Sequence, residues 1–409
     1  MDMMKNKGSF SRHPGVLMVL ENEFPFDERV EKEAILLANS GYEVHLACYT
    51  RKGRKSLESY KCITIHRFPI NGLYYKLSAA CLIIPFYFTK WQRFIESIYK
   101  EYPFDILHVH DLPLAKPGYQ IMKKTRGRLV CDQHEYYSDW IIRTSHYNQT
   151  LTGRIIKLFS NWKKYERKYL GKADLVITVE EPLREIYIKQ VGIRPEKVIT
   201  LPNTPLHSIF IETPVQKDIV NRYAAHFTLL YIGGIDILRG TDLAIRVVPS
   251  LKQTISNIKV LLIGPVYQQY KPLELASDLG VSDHVELIPW VNLTEIPSYI
   301  AGSRICFFTP PAEREEINRT ITTKIYQYMA MGKPIIVSRA KMMKELVEKN
   351  NIGISVDETR PEEFVEAVLK IYRDPEYERQ LSANALKTSE RFFWEKTSVT
   401  LVKKYRELL

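Results

Sequence analysis

The stretch REEINRTITTKIYQYMAMGKPIIVS, residues 314–338, joins a polar loop, the start of a helix and a buried strand. Threonine hydroxyls before the helix predict its N-terminal cap, and Gly332 followed by Pro334 predicts its end. Residues 335–337 have the continuous apolar character of a buried strand. Lys324 falls in the first helical turn, where a cation opposes the helix dipole unless an anion lies beside it. The segment therefore predicts either a phosphate site at the helix start or an ordinary capped amphipathic helix.

Length and composition are those of a globular protein with two domains. The 409 residues exceed the usual size of one domain, and 45% of them are apolar. The five cysteines are odd in number and lack the close pairing of a metal or redox motif, which predicts reduced core residues in a cytoplasmic protein. The apolar run at residues 16–20 is too short for a signal peptide. Residues 77–88 are broken by a predicted kink at Pro85 and are too few for a membrane-spanning helix.

Positive charge is concentrated in the first half of the chain. Residues 1–200 carry 32 Lys and Arg against 22 Asp and Glu, whereas residues 201–409 carry 26 against 25. The basic clusters lie at residues 51–55, 123–128 and 154–172, and aromatic residues are interleaved in the last cluster. A basic aromatic helix can lie on anionic lipid or bind nucleic acid, and it can equally be a solvated face over a core. The sequence leaves these alternatives open.

Alternating strand and helix patterns predict an α/β protein built from doubly wound parallel sheets. Residues 16–20, 28–39 and 42–49 are predicted to form the first strand, helix and strand, and a second such domain begins at residues 227–232. Proteins of this architecture bind ligands beyond the carboxyl ends of their strands. The Gly-x-Gly-x-x-Gly signature is missing after the first strand, so a NAD or FAD site is not expected.

Polar residues close two neighbouring core strands of the first domain, DILHVH and LVCD. They are His110 and Asp111 after the first strand, and Asp132, His134 and Glu135 after the second. Histidine at a strand end can donate to a sugar hydroxyl or a phosphate, although a histidine taken singly is more often structural. These residues can also be imagined as metal ligands, but no tight ligand spacing supports this, and no metal site is expected.

A glycine-containing turn follows the first strand of the second domain. Residues 233–240, GGIDILRG, combine Gly233 and Gly234, which allow a ligand to approach the backbone, with Arg239 as a candidate phosphate clamp. The same pattern also describes a plain strand-to-helix turn. The turn with Arg239 and the helix start with Lys324 are both candidate binding sites for an anion such as a phosphate.

The motifs, taken in order, resemble those of the retaining glycosyltransferases of family 4. They run through nearly the whole chain in the family's usual order, as FPFDERVEKEAILLANSGYEVHLA, DILHVHD, LVCDQHEYY, ADLVITVEEPLREI, VITLPN, YIGGIDILRG and KIYQYMAMGKPIIVS. The resemblance implies the GT-B fold, in which two Rossmann-like doubly wound α/β domains face each other across a cleft. It implies an acceptor-binding domain at residues 1–204, a nucleotide-sugar-binding domain at 205–388, and a helix at 389–409 that crosses back to the first domain.

The same resemblance implies roles for residues of the second domain. Arg239 is expected to clamp the donor diphosphate, and the helix start with Lys324 is expected to hold it through backbone amides. The family's second basic position in the glycine turn falls on Gly234, and its two glutamates fall on Arg319 and Gln327. Gln327 can still bind a ribose hydroxyl through its amide, whereas Arg319 cannot act as a carboxylate but can replace the missing clamp.

The full set of implied site residues spans both domains. The donor-binding residues are Gly233, Gly234, Trp290, Val291, Arg319, Thr322, Thr323 and Gln327. Trp290 and Val291 are expected to seat the base. The expected catalytic residues are His134, which contacts the donor sugar near the reacting carbon, together with Arg239 and Lys324. The acceptor side or the cleft is expected to include Asp27, Arg29, His110, Asp111 and Glu135.

The resemblance implies that a sugar is transferred from a nucleotide diphosphate sugar, with retention of configuration, to a cell-surface glycan or lipid-linked acceptor in polysaccharide biosynthesis. No cofactor is expected beyond this donor substrate, and a bound metal is not demanded because the chain has no Asp-x-Asp pair. A cytoplasmic protein is expected, and its basic first domain predicts a peripheral position at the inner face of the cytoplasmic membrane. No nucleic-acid partner is expected. Two alternatives stay open: a GT-B sugar-nucleotide epimerase, and a basic module for anionic lipid or nucleic acid whose catalytic site is lost at Arg319 and Gln327.

Overall fold

The computed structural model describes residues 13–25, 27–84, 86–143, 151–159, 161–267 and 269–409. The chain divides into two compact units, one comprising residues 1–201 with 400–409 and the other residues 202–399. The C-terminal segment that belongs to the first unit therefore begins at Thr400. Residues 389–399 belong to the second unit.

Strands and helices alternate along the first unit, as the sequence pattern predicts. Its elements are β1 (Gly15–Val19), α1 (Glu28–Asn39), β2 (Glu43–Thr50), β3 (Leu57–Tyr60), β4 (Ile63–Pro69), α2 (Gly72–Leu77), α3 (Phe86–Glu101), β5 (Ile106–His110), α4 (Ala115–Thr125), β6 (Arg128–Gln133), α5 (Tyr137–Arg143), α6 (Leu151–Phe159), α7 (Trp162–Leu170), β7 (Leu175–Thr178), α8 (Glu181–Ile186) and β8 (Val198–Thr200). The described strands form one sheet in the order β3-β4-β2-β1-β5-β6-β7-β8. Among the described strands of this sheet, only β3 is antiparallel, and it pairs with β4. The central strand β1 is buried throughout.

The second unit repeats this architecture on a smaller sheet. Its elements are α9 (Lys217–Tyr223), β9 (Phe227–Ile232), α10 (Thr241–Arg246), α11 (Val248–Leu251), β10 (Ile258–Ile263), α12 (Pro272–Asp278), β11 (Val285–Ile288), α13 (Ile296–Ala301), β12 (Ile305–Phe308), α14 (Glu315–Asn318), α15 (Thr323–Ala330), β13 (Ile335–Ser338), α16 (Lys341–Lys349), β14 (Gly353–Val356), α17 (Pro361–Arg373), α18 (Pro375–Ser389) and α19 (Trp394–Thr397). The strands pair in parallel in the order β11-β10-β9-β12-β13-β14. The last helix of the chain, α20, covers Val399–Leu408.

Helix α15 ends as the sequence predicts. Gly332 adopts a left-handed backbone with φ of 61°. Its N–H donates to the Met329 carbonyl at 2.9 Å, and the N–H of Lys333 donates to the Tyr328 carbonyl at 3.1 Å. This pair of bonds is the Schellman motif, which satisfies the last carbonyls of a helix and needs glycine at the left-handed position. The chain can then turn directly into the buried strand β13.

The predicted basic helix at residues 154–172 is divided between α6 and α7. On α7, Trp162 and Tyr165 are buried in the core of the first unit, so these aromatic residues serve packing. On α6, by contrast, Leu151 is 76% exposed and Ile155 is 50% exposed. The solvated-face interpretation therefore suits α7, whereas α6 presents apolar side chains to solvent.

Two further expectations are tested by the described residues. Four of the cysteines are buried as predicted, but the prediction is wrong for Cys62, which is exposed in the turn before β4. In the apolar run at residues 77–88, residue 77 ends α2, residues 78–80 form a 3-10 helix, residues 81–83 form a turn and residues 86–88 begin α3. Pro85 lies outside the described residues. Among the helices described, none is both long and apolar enough to cross a bilayer.

Candidate functional site

The start of α15 presents polar groups that the helix itself does not use. Thr322 holds the N-cap position with an extended backbone, but its side chain makes no capping hydrogen bond. Its Oγ1 is buried and has no hydrogen-bond partner among the described residues. The N–H groups of Thr323 and Lys324 precede the first intrahelical bond and donate to no described residue. Unused donors at the positive end of a helix dipole suit an oxyanion.

Lys324 places a cation at this helix start. Its ammonium group lies 4.4 Å from the ring centre of Phe308 and 5.4 Å from that of Tyr231. Within the described part of the chain, no carboxylate forms an ion pair with it. Burial, followed by the charge of Arg239, lowers the pKa of Lys324 to about 7. An anion bound here would remove this repulsion and restore the charge of the lysine.

Arg239 reaches this region from a short turn at residues 237–239 that follows β9. Gly240 has φ of 72°, and a Cβ at this position would lie 2.0 Å from the Thr309 carbonyl oxygen. Glycine therefore allows the turn to approach the end of β12. Arg239 itself is half-buried and makes no ion pair with any described residue. Two cations that form no ion pair with any carboxylate in the described part of the chain thus lie at the carboxyl edge of the second sheet.

The glycines after β9 and β10 allow the backbone to pack closely in the region of Lys324. A Cβ at Gly233 would lie 3.3 Å from Lys324 Cε, so only glycine lets the lysine pack against this turn without displacement. A Cβ at Gly264 would lie 2.2 Å from the Gly233 carbonyl oxygen, which no side chain tolerates. Both glycines have φ of 137°, a conformation that other residues rarely adopt. The close approach of these two strand ends therefore depends on glycine at both positions.

Aromatic residues border the same glycines. Trp290 follows β11 and is 62% exposed, and its Cε3 would lie 3.4 Å from a Cβ at Gly264. Val291 is partly buried and packs on the core of the unit. Tyr267, which the sequence did not single out, is 52% exposed and lies against Gly234. An exposed indole beside a phosphate site can stack on a nucleobase.

The two positions where the family has glutamates differ in what they offer. Gln327 lies on α15 and is 6% exposed, and no described residue hydrogen-bonds its side-chain amide. Arg319 follows α14, and its Nη2 lies 2.6 Å from Glu315 Oε2. Arg319 is thus partly neutralised by a carboxylate, whereas the amide of Gln327 keeps its hydrogen-bonding capacity for a ligand.

A second polar cluster lies in the first unit, where α1 meets the carboxyl edge of the sheet. The Asp27 carboxylate caps α1 by accepting from the N–H groups of Arg29 and Val30, each at 3.1 Å. The guanidinium of Arg29 is buried and donates to both oxygens of Asp132 at 2.8 Å. Its third bond, also 2.8 Å, goes to the Leu201 carbonyl. Arg29 and Asp132 therefore form a buried bidentate pair, which holds the start of α1 against the end of β6.

Asp132 connects this pair to two of the predicted histidines. Its Oδ2 lies 2.9 Å from His134 Nε2 and 3.4 Å from His110 Nδ1. The Asp111 carboxylate accepts a hydrogen bond from the backbone N–H of His134 at 3.4 Å. The backbone of Asp111 itself is left-handed, with φ of 62°. Glu135 is partly buried next to them. The structure thus brings His110, Asp111 and His134 together, as the strand order predicts.

The charges of this cluster follow from its burial and its carboxylates. Burial opposes the charged form of His134, but Asp111 and Asp132 outweigh this effect and raise its pKa to about 10. Burial likewise opposes ionisation of Asp132, yet Arg29 and His134 hold its pKa well below the usual range. The pKa of His110 is lowered by burial. At neutral pH His134 is therefore an imidazolium, and its side chain, 22% exposed, can donate to a ligand.

Sequence reasoning missed the deeper part of this cluster. Glu33 lies one helical turn after Arg29 and is fully buried, and burial followed by Asp132 raises its pKa to about 8. Its Oε2 is 3.7 Å from His108 Nε2, and His108 Nδ1 is 2.7 Å from the Tyr405 hydroxyl of α20. The one sequence signal was an acidic residue four positions after Arg29 on the face of α1 that carries its apolar residues.

Four residues of this cluster offer ligand atoms close enough to hold a metal ion. They are Glu33, His108, His110 and Asp132, with all ligand atoms within 4.8 Å of one another. The Nε atom of Arg29 already lies 2.8 Å from Asp132 Oδ2 and 3.1 Å from Glu33 Oε1. The guanidinium of Arg29 thus already lies where a metal would, paired with the Asp132 carboxylate and next to a Glu33 carboxyl whose raised pKa favours the neutral form, so the geometry fits a buried ion pair better than a metal centre.

Comparison with known proteins relates both units to one class of enzyme. The family model for glycosyl transferases group 1 matches residues 213–388, and the model for glycosyltransferase family 4 matches residues 30–204. An uncharacterized glycosyltransferase of Methanocaldococcus jannaschii is 25% identical over 206 residues, 50% of this chain and 55% of the relative. A D-inositol 3-phosphate glycosyltransferase of Rhodococcus opacus is 24% identical over 183 residues, 43% of this chain and 40% of the relative. The matches thus span about half the length of these relatives.

Solved structures extend the likeness to nearly the whole chain. Sucrose-phosphate synthase from Thermosynechococcus elongatus matches with a TM-score of 0.74 and 16% identity, covering 97% of this chain and 99% of the other. The Anabaena protein HepE, solved in complex with UDP, matches with a TM-score of 0.70 and 15% identity, covering 96% and 100%. At these identities the likeness shows the fold, and it supports the predicted GT-B class. With both halves of the chain matched by the corresponding family models, the protein belongs to the family 4 glycosyltransferases of the GT-B fold.

Proposed function

We propose that the second unit binds a nucleotide diphosphate sugar, with the diphosphate at the start of α15. The observation that carries this proposal is the pair of cations, Lys324 and Arg239, that lies beside unused helix amides and pairs with no carboxylate of the described residues. The buried Thr322 hydroxyl supplies one more donor. The complex of UDP with HepE, a protein of the same fold, supports a nucleotide of this kind as the ligand.

The remaining donor contacts follow from the same edge of the sheet. Trp290 is assigned to the base, because its exposed indole lies beside Gly264 on the strand next to the glycine turn. Gln327 is assigned to a ribose hydroxyl, since its amide is one turn along α15 from the phosphate site and bonds no described residue. Arg319, which is paired with Glu315, is assigned a smaller part in binding the phosphate than Arg239.

The chemistry that this arrangement supports is departure of the nucleoside diphosphate. Negative charge develops on the β-phosphate oxygen as the bond to the sugar breaks, and preorganised donors stabilise that charge without further reorganisation. Lys324, Arg239 and the amides of α15 meet this need without a metal ion, and we propose metal-independent transfer. We further propose retention of configuration by attack from the face that the leaving group vacates, a course that requires no protein nucleophile.

His134 is assigned the donation of a hydrogen bond to a substrate oxygen. Its imidazolium form is maintained by Asp111 and Asp132, and Arg29 fixes Asp132 in turn. The proposed acceptor is a cell-surface glycan or a lipid-linked sugar. Support for a membrane-associated acceptor comes from the basic first half of the chain and from the exposed Leu151 and Ile155 on α6. We propose peripheral association with the cytoplasmic face of the membrane on this basis.

The proposed function is tested by turnover of a panel of UDP-, GDP- and ADP-linked sugars, with donor hydrolysis and transfer to glycan acceptors measured separately. The purified chain is expected to consume one of these donors. Arg239→Ala and His134→Ala are expected to lose turnover by about 10²-fold or more, the range for removing one preorganised donor.

Two matched variants keep this test specific. Arg246→Ala removes an exposed arginine that pairs with Asp242 in the same unit as Arg239, and His207→Ala removes an exposed histidine of the second unit, outside the unit that contains His134. Both are expected to retain wild-type turnover. Product formation without any acceptor sugar would point to epimerisation instead. Salt-sensitive binding of nucleic acid by a chain that binds no nucleotide sugar would contradict the proposed function altogether.

A further inference from the structure

The second half of the basic and aromatic cluster at residues 154–172 is α7, a helix that the proposed function does not use. Two consecutive side chains of α7, Tyr165 and Glu166, are polar and yet buried, with exposed fractions of 8% and 1%. Neighbouring positions on a helix point about 100° apart, so the two side chains reach different segments of the first unit. Each side chain makes hydrogen bonds with a segment that follows a strand of the sheet.

The hydroxyl of Tyr165 binds the loop that follows β5. It donates to the Pro113 carbonyl at 2.7 Å and accepts from the backbone N–H of Lys116 at 3.1 Å. The N-cap residue of α4 makes no side-chain capping bond, so Tyr165 satisfies an amide of the first helical turn from outside the helix. This loop begins with Asp111, whose Oδ2 lies 3.9 Å from His134 Nδ1.

The carboxylate of Glu166 binds the helix that follows β6. Its Oε2 accepts from the Ser138 hydroxyl at 2.7 Å, and its Oε1 accepts from the Tyr187 hydroxyl at 3.4 Å. Ser138 is fully buried in the first turn of α5, four residues after His134. Tyr187 begins a π-helical turn, Tyr187–Val191, that continues α8. Glu166 therefore fixes the segment that leads from His134 into α5.

Helix α7 thus holds both segments that carry polar residues of the candidate site in the first unit. Strands β5 and β6 are neighbours, and Asp111 and His134 follow their ends. Burial lowers the pKa of His134, and the Asp111 carboxylate is the strongest of the influences that raise it. Because Pro113 is two residues from Asp111 and Ser138 is four residues from His134, release of either bond lets the two site residues move apart.

We infer that Tyr165 and Glu166 are positioning residues, which hold Asp111 and His134 at the separation that lets His134 donate to a substrate oxygen. The inference rests on the proposed function, because it concerns the geometry of His134 in that reaction. Both side chains are buried, so they act through these two site residues and not on the substrate itself.

The test is the titration of His134 in the full chain, which requires no donor and no turnover. It is followed by NMR of chains labelled with ¹³C at the histidine Cε1 atoms. The chain has ten histidines, and His134→Gln identifies the signal of interest. Tyr165→Phe and Ser138→Ala each remove one hydroxyl and little volume. In both variants the pKa of His134 is expected to fall by about 1, the lower end of the effect of a carboxylate ~4–6 Å away.

Matched variants separate positioning from stability. Tyr169→Phe removes a hydroxyl that bonds no described residue from the same helix, and its ring lies 4.7 Å from that of Tyr165. It is expected to leave the titration of His134 unchanged. Burial raises the pKa of Glu166 to about 7, so a neutral amide is a close substitute. Glu166→Gln is expected to keep the wild-type titration, whereas Glu166→Leu is expected to behave like Ser138→Ala. If Glu166→Leu does not fold, Ser138→Ala measures the same bond.

Turnover of the donor gives a second readout. Tyr165→Phe and Ser138→Ala are expected to lower kcat about 10-fold, less than the ~10²-fold that a displacement of ~1 Å can cost. The KM for the nucleotide sugar is expected to stay unchanged, because the proposed donor contacts belong to the second unit. A raised KM with an unchanged kcat would contradict the positioning role.

The two readouts distinguish failure of this inference from failure of the proposed function. A lower melting temperature in Tyr165→Phe and Ser138→Ala, with the titration of His134 unchanged, would show a purely structural role and overturn the inference. The same change of titration in Tyr169→Phe would also overturn it, since the effect would not depend on the bonds of Tyr165. The expected titrations in a chain that turns over no nucleotide sugar would support the positioning of His134 while contradicting the proposed function.

Discussion

The pH dependence of donor binding follows from the environment of Lys324. Its ammonium lies against Phe308 and Tyr231 and near Arg239, and its pKa is lowered to about 7. When a diphosphate binds, the charged form is favoured, so the pKa in the complex returns toward its ordinary value. Below pH ~7 the lysine is already charged and affinity is high. Above it, binding must take up one proton, so affinity falls as the pH rises.

The size of this effect can be worked from the same value. If Lys324 stays charged in the complex, affinity at about pH 9 is roughly 50-fold lower than at about pH 7, equivalent to about 2.3 kcal/mol. Isothermal titration calorimetry with a nucleotide sugar, in two buffers of different ionisation enthalpy, measures both the affinity and the protons taken up. The wild type is expected to take up close to one proton at the higher pH and about half a proton at the lower.

A matched variant isolates the lysine in this experiment. Lys324→Arg keeps a charge that does not titrate in this range, so its affinity is expected to be independent of pH and its proton uptake to be close to zero. A wild-type chain that binds the nucleotide sugar with constant affinity and no proton uptake would refute the assignment of Lys324 to the diphosphate.

Three further outcomes are expected from single substitutions. Thr322→Val is expected to weaken nucleotide-sugar binding about 5- to 10-fold in calorimetry with an unchanged melting temperature, because its hydroxyl bonds no described residue; an equal loss of stability would contradict this. Gly264→Ala places a Cβ 2.2 Å from the Gly233 oxygen, so thermal denaturation should show a melting temperature lower by several degrees and calorimetry should show weaker donor binding. Glu33→Gln is expected to change stability in a pH-dependent way. Because the folded pKa of Glu33 is raised to about 8, its contribution is present below pH ~4.5 and lost as the pH rises through 8. Urea denaturation should therefore show the variant gaining roughly 2–4 kcal/mol on the wild type between about pH 5 and pH 9, and a constant difference would contradict the buried neutral carboxyl.

Much of the architecture could be predicted because buried parallel strands leave a strong signal. Runs such as residues 227–232 are apolar throughout, and the structure places each of them inside a sheet. The antiparallel edge strand β3 was not predicted, since its alternating exposed residues resemble a loop. The long helical pattern at residues 154–172 was read as one element, but the chain divides it into α6 and α7. Helix periodicity shows which face is apolar, and it says little about where a helix is interrupted.

The residues of the proposed donor site could be named from the sequence because they follow strand ends or a helix start. Gly233, Arg239 and Lys324 come together for this reason. Their environment could not be predicted, because the aromatic rings beneath Lys324 belong to β9 and β12, far apart in the sequence. Tyr267 and Gly264 were missed because single residues in a loop carry no periodic signal.

The buried cluster of the first unit could also be predicted only in part from the sequence. His110 and His134 could be proposed from their positions at strand ends. The partners that set their charges could not, because Arg29 and Asp132 are 103 positions apart and Tyr405 meets His108 from the last helix of the chain. Charge states in such a network depend on burial and on distances between side chains, which only the folded chain defines.

The central claim is that the start of α15 binds the diphosphate of a nucleotide sugar. A crystal structure of the chain with a bound UDP-, GDP- or ADP-linked sugar tests it most directly. The account predicts diphosphate oxygens within hydrogen-bond distance of Thr322 Oγ1, of the Thr323 and Lys324 amides and of the Arg239 guanidinium. A nucleotide sugar bound elsewhere, with these groups making no contact to phosphate, would contradict it.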